Sequence, residues 1–212
     1  MALDIAPVSV SVQPLRRLPQ LLVGLVLYGM SDALLVRGNL GLDPWDVLHQ
    51  GVSRHTGLTI GTVSILTGVV VLASWALLRQ RPGVGTVCNV FCIGLSLDAT
   101  LALLPPVNAL PVRIGLTLGG VLLNGVATAS YIGARLGPGP RDGLMTGISA
   151  RSGRSIRLVR TGIEVSVLVT GWLLGGTFGV GTVLYAVAIG PLTQFFLPHL
   201  TWRPGTPEST NA

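Results

Sequence analysis

Six stretches of the chain carry no charge or almost none: residues 18–36, 59–78, 84–104, 114–134, 158–174 and 180–197. Each is close to the ~20 apolar residues that a helix needs to cross the hydrocarbon core of a bilayer. Glycines recur inside them, among others at Gly24, Gly29, Gly68, Gly119, Gly120 and Gly125. In water such glycines weaken a helix, whereas in lipid small residues let helix backbones approach closely. The pattern predicts an all-α integral membrane protein with about six transmembrane helices.

The same pattern occurs twice. Sliding the chain by 96 residues lays 40–94 over 136–190 without a gap, with 22 of the 55 positions identical. The register extends upstream, where Arg17, Gly24, Gly29 and Ala33 fall on Arg113, Gly120, Gly125 and Ala129. If each copy contributes three crossings, an odd number, the second copy must enter the membrane upside down relative to the first, a construction that recurs in secondary transporters. The expected organisation is an N-terminal cytoplasmic tail (1–15), a first three-helix repeat (16–104), a second, inverted one (112–198) and a disordered C-terminal tail (199–212) rich in Pro, Ser and Thr. Residues 1–14 lack a basic segment ahead of an apolar one, so the first span is expected to be retained rather than cleaved.

Composition strengthens this picture. Hydrophobic residues make up 49% of the chain and charged residues only 10%, against about 25% charged in a soluble domain, and the mean hydropathy is +0.68. All 14 basic residues are arginine and the formal net charge is +6. A basic chain raises the question of nucleic acid, but these arginines lie scattered in the gaps between apolar runs, where they act as topology signals and headgroup anchors, so no nucleic-acid partner is expected. With six spans and the N-terminus inside, Arg16, Arg17, Arg79, Arg81, Arg135, Arg141, Arg151, Arg154, Arg157, Arg160 and Arg203 fall inside and only Arg37, Arg54 and Arg113 outside. That asymmetry places both termini in the cytoplasm.

Two motifs recur in the copies. Gly41, Pro44, Asp46, Leu48 and Gly51 match Gly137, Pro140, Asp142, Leu144 and Gly147. Proline suits the first turn of a helix and leaves the aspartate close to the helix N-terminus. Each motif therefore starts a short interfacial or re-entrant helix of roughly ten residues, about 15 Å, too short to span. In the first copy Trp45, Leu48 and Val52 share a face, with Asp46, Gln50 and Arg54 elsewhere, so the helix reads as amphipathic. Asp46 and Asp142 either border a substrate path or stabilise their own helix ends. The second motif, Gly-Val-Gly-Thr-Val at 83–87 and 179–183, opens the third and sixth spans, with Thr86 and Thr182 as candidate helix caps. It lacks the lysine of a phosphate loop. Under inversion the Pro-x-Asp motif of one copy lies on the same membrane side as the Gly-Val-Gly-Thr motif of the other, giving two gates to one path.

Ionisable residues within the spans are few: Asp32, Asp98 and Glu164. Asp98 is the deepest by position and is a candidate for proton or cation coupling, or else a hydrogen-bonded structural acid. Glu164, one turn after Arg160, reads as a local ion pair. Asn89, Asn124 and Gln194 read as hydrogen-bond partners between helices, Cys88 and Cys92 as small packing residues, and His49, His55 and His199 as interfacial polar residues without metal-ligand spacing. No catalytic residue, metal site or cofactor is expected, and no pattern argues for an enzyme.

The stretches GLDPWDVLHQG, GPGPRDGLMTG and RSGRSIRLVRTGIE, each copy followed by GVGTV, resemble the YczE/YitT-like bacterial membrane proteins over most of residues 16–198. The resemblance implies a multipass protein of the bacterial inner membrane whose activity is generally unassigned. The repeat, the Pro/Gly breaks and the buried acids point to a small secondary transporter or exporter of an unknown small solute or ion, with Gly41, Pro44, Asp46, Thr86, Asp98, Gly137, Pro140, Asp142 and Thr182 along its path. The alternative is a non-transporting partner or scaffold that binds another protein or a lipid through its Gly-rich faces and the loop at 135–160. Beyond the lipid bilayer, a homodimer is compatible with the length.

Overall fold

The computed structural model describes residues 5–203, and all regular structure among them is helical. Helix α1 spans Pro14–Gly38, α2 Pro44–Thr56, α3 Ile60–Leu78, α4 Val84–Leu103, α5 Leu110–Gly133, α6 Pro140–Ser152, α7 Ile156–Leu173 and α8 Val180–Leu200. Five of them, α1, α3, α4, α5 and α8, are long and apolar enough to cross a membrane. The stretch expected as a further span coincides with α7, whose 18 residues carry three charged side chains, Arg157, Arg160 and Glu164. The protein is thus an all-α membrane protein with five long apolar helices. Large side chains such as Leu22, Val26, Val70, Leu77, Leu95, Leu103 and Val187 stand exposed along these helices, an arrangement suited to lipid rather than water.

Local chemistry explains the helix boundaries. Helix α2 starts at Asp43, whose carboxylate accepts from the amides of Trp45 and Asp46, with Pro44 in the first turn, and stops at Gly57 at φ 73°. Helix α6 starts after Gly139 with Pro140 and stops at Gly153 at φ 67°. Both are 13 residues long, about 20 Å, and so longer than the expected ten residues while still too short to span. At α4 and α8 the hydroxyls of Thr86 and Thr182 accept from the amides of Gly83 and Gly179, satisfying donors that the first helical turn leaves open.

The helices cross-brace. Arg17, near the start of α1, donates from Nε to Ala134 O (2.9 Å) and from Nη2 to Arg135 O (2.8 Å), just past the end of α5. Arg113, near the start of α5, donates from Nε to Gly38 O (2.9 Å) and from Nη2 to Asn39 O (2.6 Å), at the end of α1. The two helices therefore lie antiparallel and tie each other's free C-terminal carbonyls. The small residues interlock likewise: a Cβ on Gly24 would lie 2.8 Å from Tyr131 N, and one on Gly120 3.1 Å from Ser31 O and the Leu35 side chain. Short helix α2 packs mainly on α7, and α6 mainly on α3.

Gly61 of α3 and Gly94 of α4 bring two backbones together, a Cβ on Gly61 falling 2.1 Å from Gly94 O. Gly119 faces open space. Gly61→Ala is expected to destabilise the protein by about 1–3 kcal/mol, the cost of overpacking, while Gly119→Ala is neutral or slightly stabilising because alanine favours helix. Thermal unfolding in detergent checks the pair, and equal midpoints for the two variants would refute the close packing of α3 on α4.

Several sequence-based expectations change. Arg17 is fully buried at the end of α5, and Arg135, nearly as buried, donates from Nε to Ala6 O (2.9 Å), so both bind within the protein rather than lipid headgroups. Helix α2 is buried on most sides, with Asp46, His49 and Gln50 as enclosed as Trp45 and Val47. Its polar face meets the protein interior instead of water. The boundary expected at 199 falls within α8, which runs to Leu200; beyond it Trp202 is buried and donates from Nε1 to Gln13 Oε1 (2.9 Å). The rest of the tail expected to be disordered, from residue 204, lies outside the described residues. Cys88 and Cys92 are free thiols that pack against the core around Leu21 and Leu25.

Candidate functional site

The polar interior gathers where α1, α2, α5, α6 and α8 meet. From α1 come Tyr28, Ser31 and Asp32; from the turn before α2, Asp43; from α2 itself, Asp46 and His49. Asp32, Asp43 and Asp46 are 1–2% exposed, and each offers a carboxylate oxygen within 4.8 Å of the others. Asn124 of α5 holds this group to the far side of the bundle. Its Nδ2 donates to Ser31 Oγ (2.8 Å) and Asp32 Oδ1 (3.1 Å), and its Oδ1 accepts from the hydroxyl of Tyr185 on α8 (3.0 Å).

Asp43 Oδ1 accepts from the amides of Trp45 (2.8 Å) and Asp46 (3.0 Å), which fixes the carboxylate at the start of α2. Arg141, at the start of α6, stands with Nη1 3.9 Å from the same oxygen and its guanidinium 4.8 Å from the centre of the Trp45 ring. His49 Nδ1 lies 2.9 Å from Asp46 Oδ1. In this cluster three buried atoms have no hydrogen-bond partner among the described residues: Asp43 Oδ2, Asp46 Oδ2 and His49 Nε2. Burial pushes Asp43 up to about 6, with the nearby Asp46 charge adding to the shift and Arg141 opposing it. It pushes Asp46 up to about 6 as well, against Arg141 and the Asp43 contact. His49 is driven down to about 3 by burial and by Arg141, so its imidazole is neutral at pH 7. Removing a group from water disfavours its charged form, which is the common cause of all three shifts.

Beside the cluster lies a cavity of about 460 Å³. Its charged lining comes from Asp43, Arg141, Asp142, Arg160 and Glu164, and its aromatic lining from Tyr28, Trp45, Tyr131 and Tyr185. Asp142 Oδ2 accepts from the Tyr131 hydroxyl (3.3 Å), and Arg160 Nε donates to Glu164 Oε1 (2.8 Å). A second, smaller cavity of about 190 Å³ shares Asp142, Met145 and Arg160 with the first, extending the polar interior between α6 and α7. A volume of this order accommodates a small solute.

The residues singled out from the sequence divide into three groups. Asp46 belongs to the acidic cluster, and Asp142, Pro44 and Pro140 line the cavity. Gly41, Gly137, Thr86 and Thr182 lie at two joints between the copies. Gly85 N donates to Leu136 O (2.9 Å) and Thr86 Oγ1 to Pro138 O (2.8 Å), while Gly181 N donates to Leu40 O (2.8 Å). Gly41 and Gly137 adopt φ of 129° and 128°, a region open to glycine alone, and a Cβ on Gly41 would lie 2.6 Å from Thr182 N. Asp98 stands apart from the cavity, accepting from Gly61 N (2.8 Å) and the Thr59 hydroxyl at the start of α3. Asn124 links helices as expected, and Glu164 pairs with Arg160.

The sequence reading passed over Asp43 and the three tyrosines, took Arg141 only as a topology signal, gave Asp32 no role and took His49 for an interfacial residue. A signal was present. At these positions the two copies differ: Asp43 aligns with Gly139, Trp45 with Arg141, His49 with Met145, Asp32 with Thr128 and Tyr28 with Asn124. Matching the copies highlights what both need for folding. Apart from the shared Asp46 and Asp142, the polar groups of the site sit where one copy departs from the other.

A family model described as a family of unknown function (DUF6198) matches residues 15–198. An uncharacterized protein of Haemophilus influenzae is 44% identical over 187 residues, which is 88% of this chain and 86% of that protein. The uncharacterized membrane protein YczE of Bacillus subtilis is 35% identical over 178 residues, 83% of each chain. A second Bacillus subtilis protein, the uncharacterized protein YyaS, is 29% identical over 180 residues, 83% of this chain and 90% of its own. No solved structure matches.

Proposed function

This chain belongs to that family, whose relatives include the membrane protein YczE, and from this premise we propose that it is a small secondary transporter, with the central cavity, lined by residues of all eight helices, as its solute site. The observation that carries the reading is the charged lining itself. Charges within a membrane bundle are costly and tend to mark solute or ion pathways, and here five charged side chains, Asp43 among them fully buried, line one cavity in a bundle with five long apolar helices. A scaffold that binds other proteins through its outer faces has no use for such an interior.

In this reading α7 is the sixth span, its Arg160 and Glu164 turned to the cavity rather than to lipid. The two halves are inverted copies related by an axis in the membrane plane, and both termini lie in the cytoplasm. Support comes from the antiparallel pairing of α1 with α5, the reciprocal bonds of Arg17 and Arg113, and the docking of each Gly-Val-Gly-Thr segment on the turn before the other copy's Pro-x-Asp helix. Alternating access then amounts to rocking one half against the other about a fixed central site.

The test needs no knowledge of the solute. Thr128 lines the cavity, so Thr128→Cys in a Cys88→Ala, Cys92→Ala background is treated with a membrane-impermeant thiol reagent in right-side-out and inverted vesicles. Modification from both sides, one preparation at a time, is the expected result. Modification from one side alone, or from neither, would overturn the transport reading.

A further inference from the structure

We propose that Asp32, Asp43 and Asp46 bind one divalent cation of the class that prefers carboxylate oxygens, Mn²⁺, Mg²⁺ or Ca²⁺. This inference rests on the reading of the cavity as a solute path and gives that path its ion.

Geometry comes first. Carboxylate oxygens of the three side chains lie within 4.8 Å of one another. Oxygens bound to a single ion at about 2.0–2.6 Å stand no more than about 4–5 Å apart, so one ion can touch all three. The three side chains come from different places, one from the middle of α1 and two from the start of α2, and Asn124 and the α2 amides hold two of them in place from outside the cluster.

Unpartnered atoms are a separate observation. Asp43 Oδ2 and Asp46 Oδ2 are buried and have no hydrogen-bond partner among the described residues, and neither does His49 Nε2, the free nitrogen of an imidazole whose other nitrogen contacts Asp46. A cation satisfies both oxygens at once. His49 is not one of the three ligands: its Nδ1 contacts Asp46, and the residue lines the cavity beside the cluster.

Charge sets the valence. Bound to an ion, three carboxylates bring three negative charges, and among the described residues Arg141 stands beside Asp43 to offset one of them. His49 is neutral. The remaining charge of minus two matches one divalent ion, whereas a single sodium ion leaves one buried charge unbalanced.

The full-length protein, purified in detergent and stripped with chelator, is titrated with Mn²⁺ at pH 7.5 and free Mn²⁺ is read by electron paramagnetic resonance. One saturable site per chain is expected, displaced by excess Mg²⁺ or Ca²⁺ but not by equimolar Na⁺. Asp43→Asn and Asp46→Asn should weaken binding at least tenfold, and Asp142→Asn, which lines the cavity outside the cluster, less than twofold. No saturable site, displacement by equimolar Na⁺, or unchanged binding in Asp43→Asn would overturn the proposal. If those variants do not fold, the wild-type protein is labelled with dicyclohexylcarbodiimide with and without Mn²⁺ and mapped by mass spectrometry. Protection of Asp32, Asp43 and Asp46 supports the site, and unaltered labelling overturns it. Binding is measured without a membrane gradient, so a protein that binds Mn²⁺ yet fails the two-sided thiol test would lose the transport reading alone.

Discussion

Arg17→Ala is expected to lower the unfolding free energy in detergent by about 3–5 kcal/mol, and Arg113→Ala by only about 1–2 kcal/mol, although the two arginines occupy equivalent positions in the copies. Arg17 is fully buried and donates to five backbone carbonyls, those of Val8, Ser9, Val12, Ala134 and Arg135. Its guanidinium also lies over the Trp202 ring, 4.8 Å from the centre. Truncation strands the carbonyls at the end of α5 in the interior and detaches both terminal segments from the bundle. Arg113 donates to two carbonyls, and water can replace part of what it loses because it is only half-buried. Arg17→Lys should recover less than half of the loss, since one ammonium cannot reproduce a planar fork. The measurement is the midpoint of denaturant-induced unfolding. Equal losses at Arg17 and Arg113 would show that the amino-terminal segment is not anchored in this way.

The second large effect is a compensation between the halves. In the first, Val47 and Leu48 of α2 press against Gly171 of α7, where a Cβ would lie 2.4 Å from Leu48 N. In the second, Trp75 of α3 fills the space beside Gly143 of α6, where a Cβ would lie 1.9 Å from the indole ring. Position 47 aligns with 143, and 75 with 171, so the glycine sits on the long helix in the first joint and on the short helix in the second. Trp75 is 2% exposed and donates from Nε1 to Pro140 O (3.0 Å), which positions the start of α6 and with it Arg141 and Asp142.

Gly143→Val alone should therefore cost about 3 kcal/mol or more, because the ring cannot move into a filled interior. Trp75→Gly alone should cost about 3–5 kcal/mol through the cavity it leaves. Combined, they copy the other joint, and the pair should be more stable than the sum of the single losses by at least about 1 kcal/mol. Strict additivity in the double-mutant cycle would mean that the two residues do not share this joint.

Both predictions rest on the way the repeat was legible. Helix starts and stops were readable because they depend on local chemistry: Pro44 and Pro140 in first turns, Gly57 and Gly153 in left-handed stops, Thr86 and Thr182 reaching back to their helix starts. The duplicated motif placed Asp46 and Asp142, and both reach the polar interior. Asp98 looked deepest by counting residues along its span, yet it accepts from α3 amide and hydroxyl groups at a helix end. Depth along one helix says nothing about which face its neighbours cover. His49 and Asp43 were hidden for the converse reason, since a polar residue on a short helix looks solvated until the element that covers it is known.

By itself the sequence determined that the chain is helical, that its apolar segments suit a bilayer, that the short helices begin at the two prolines, and that two similar halves exist. These features follow from composition, periodicity and contacts within a few residues, all of which act along the chain. Only the tertiary structure decided that Arg17 binds carbonyls beyond the end of α5, that α2 lies buried with its acids inward, and that Asp32, Asp43 and Asp46 converge. Those outcomes depend on which faces meet, a choice set by glycine-sized gaps and by buried polar groups that must find partners from segments about a hundred residues away.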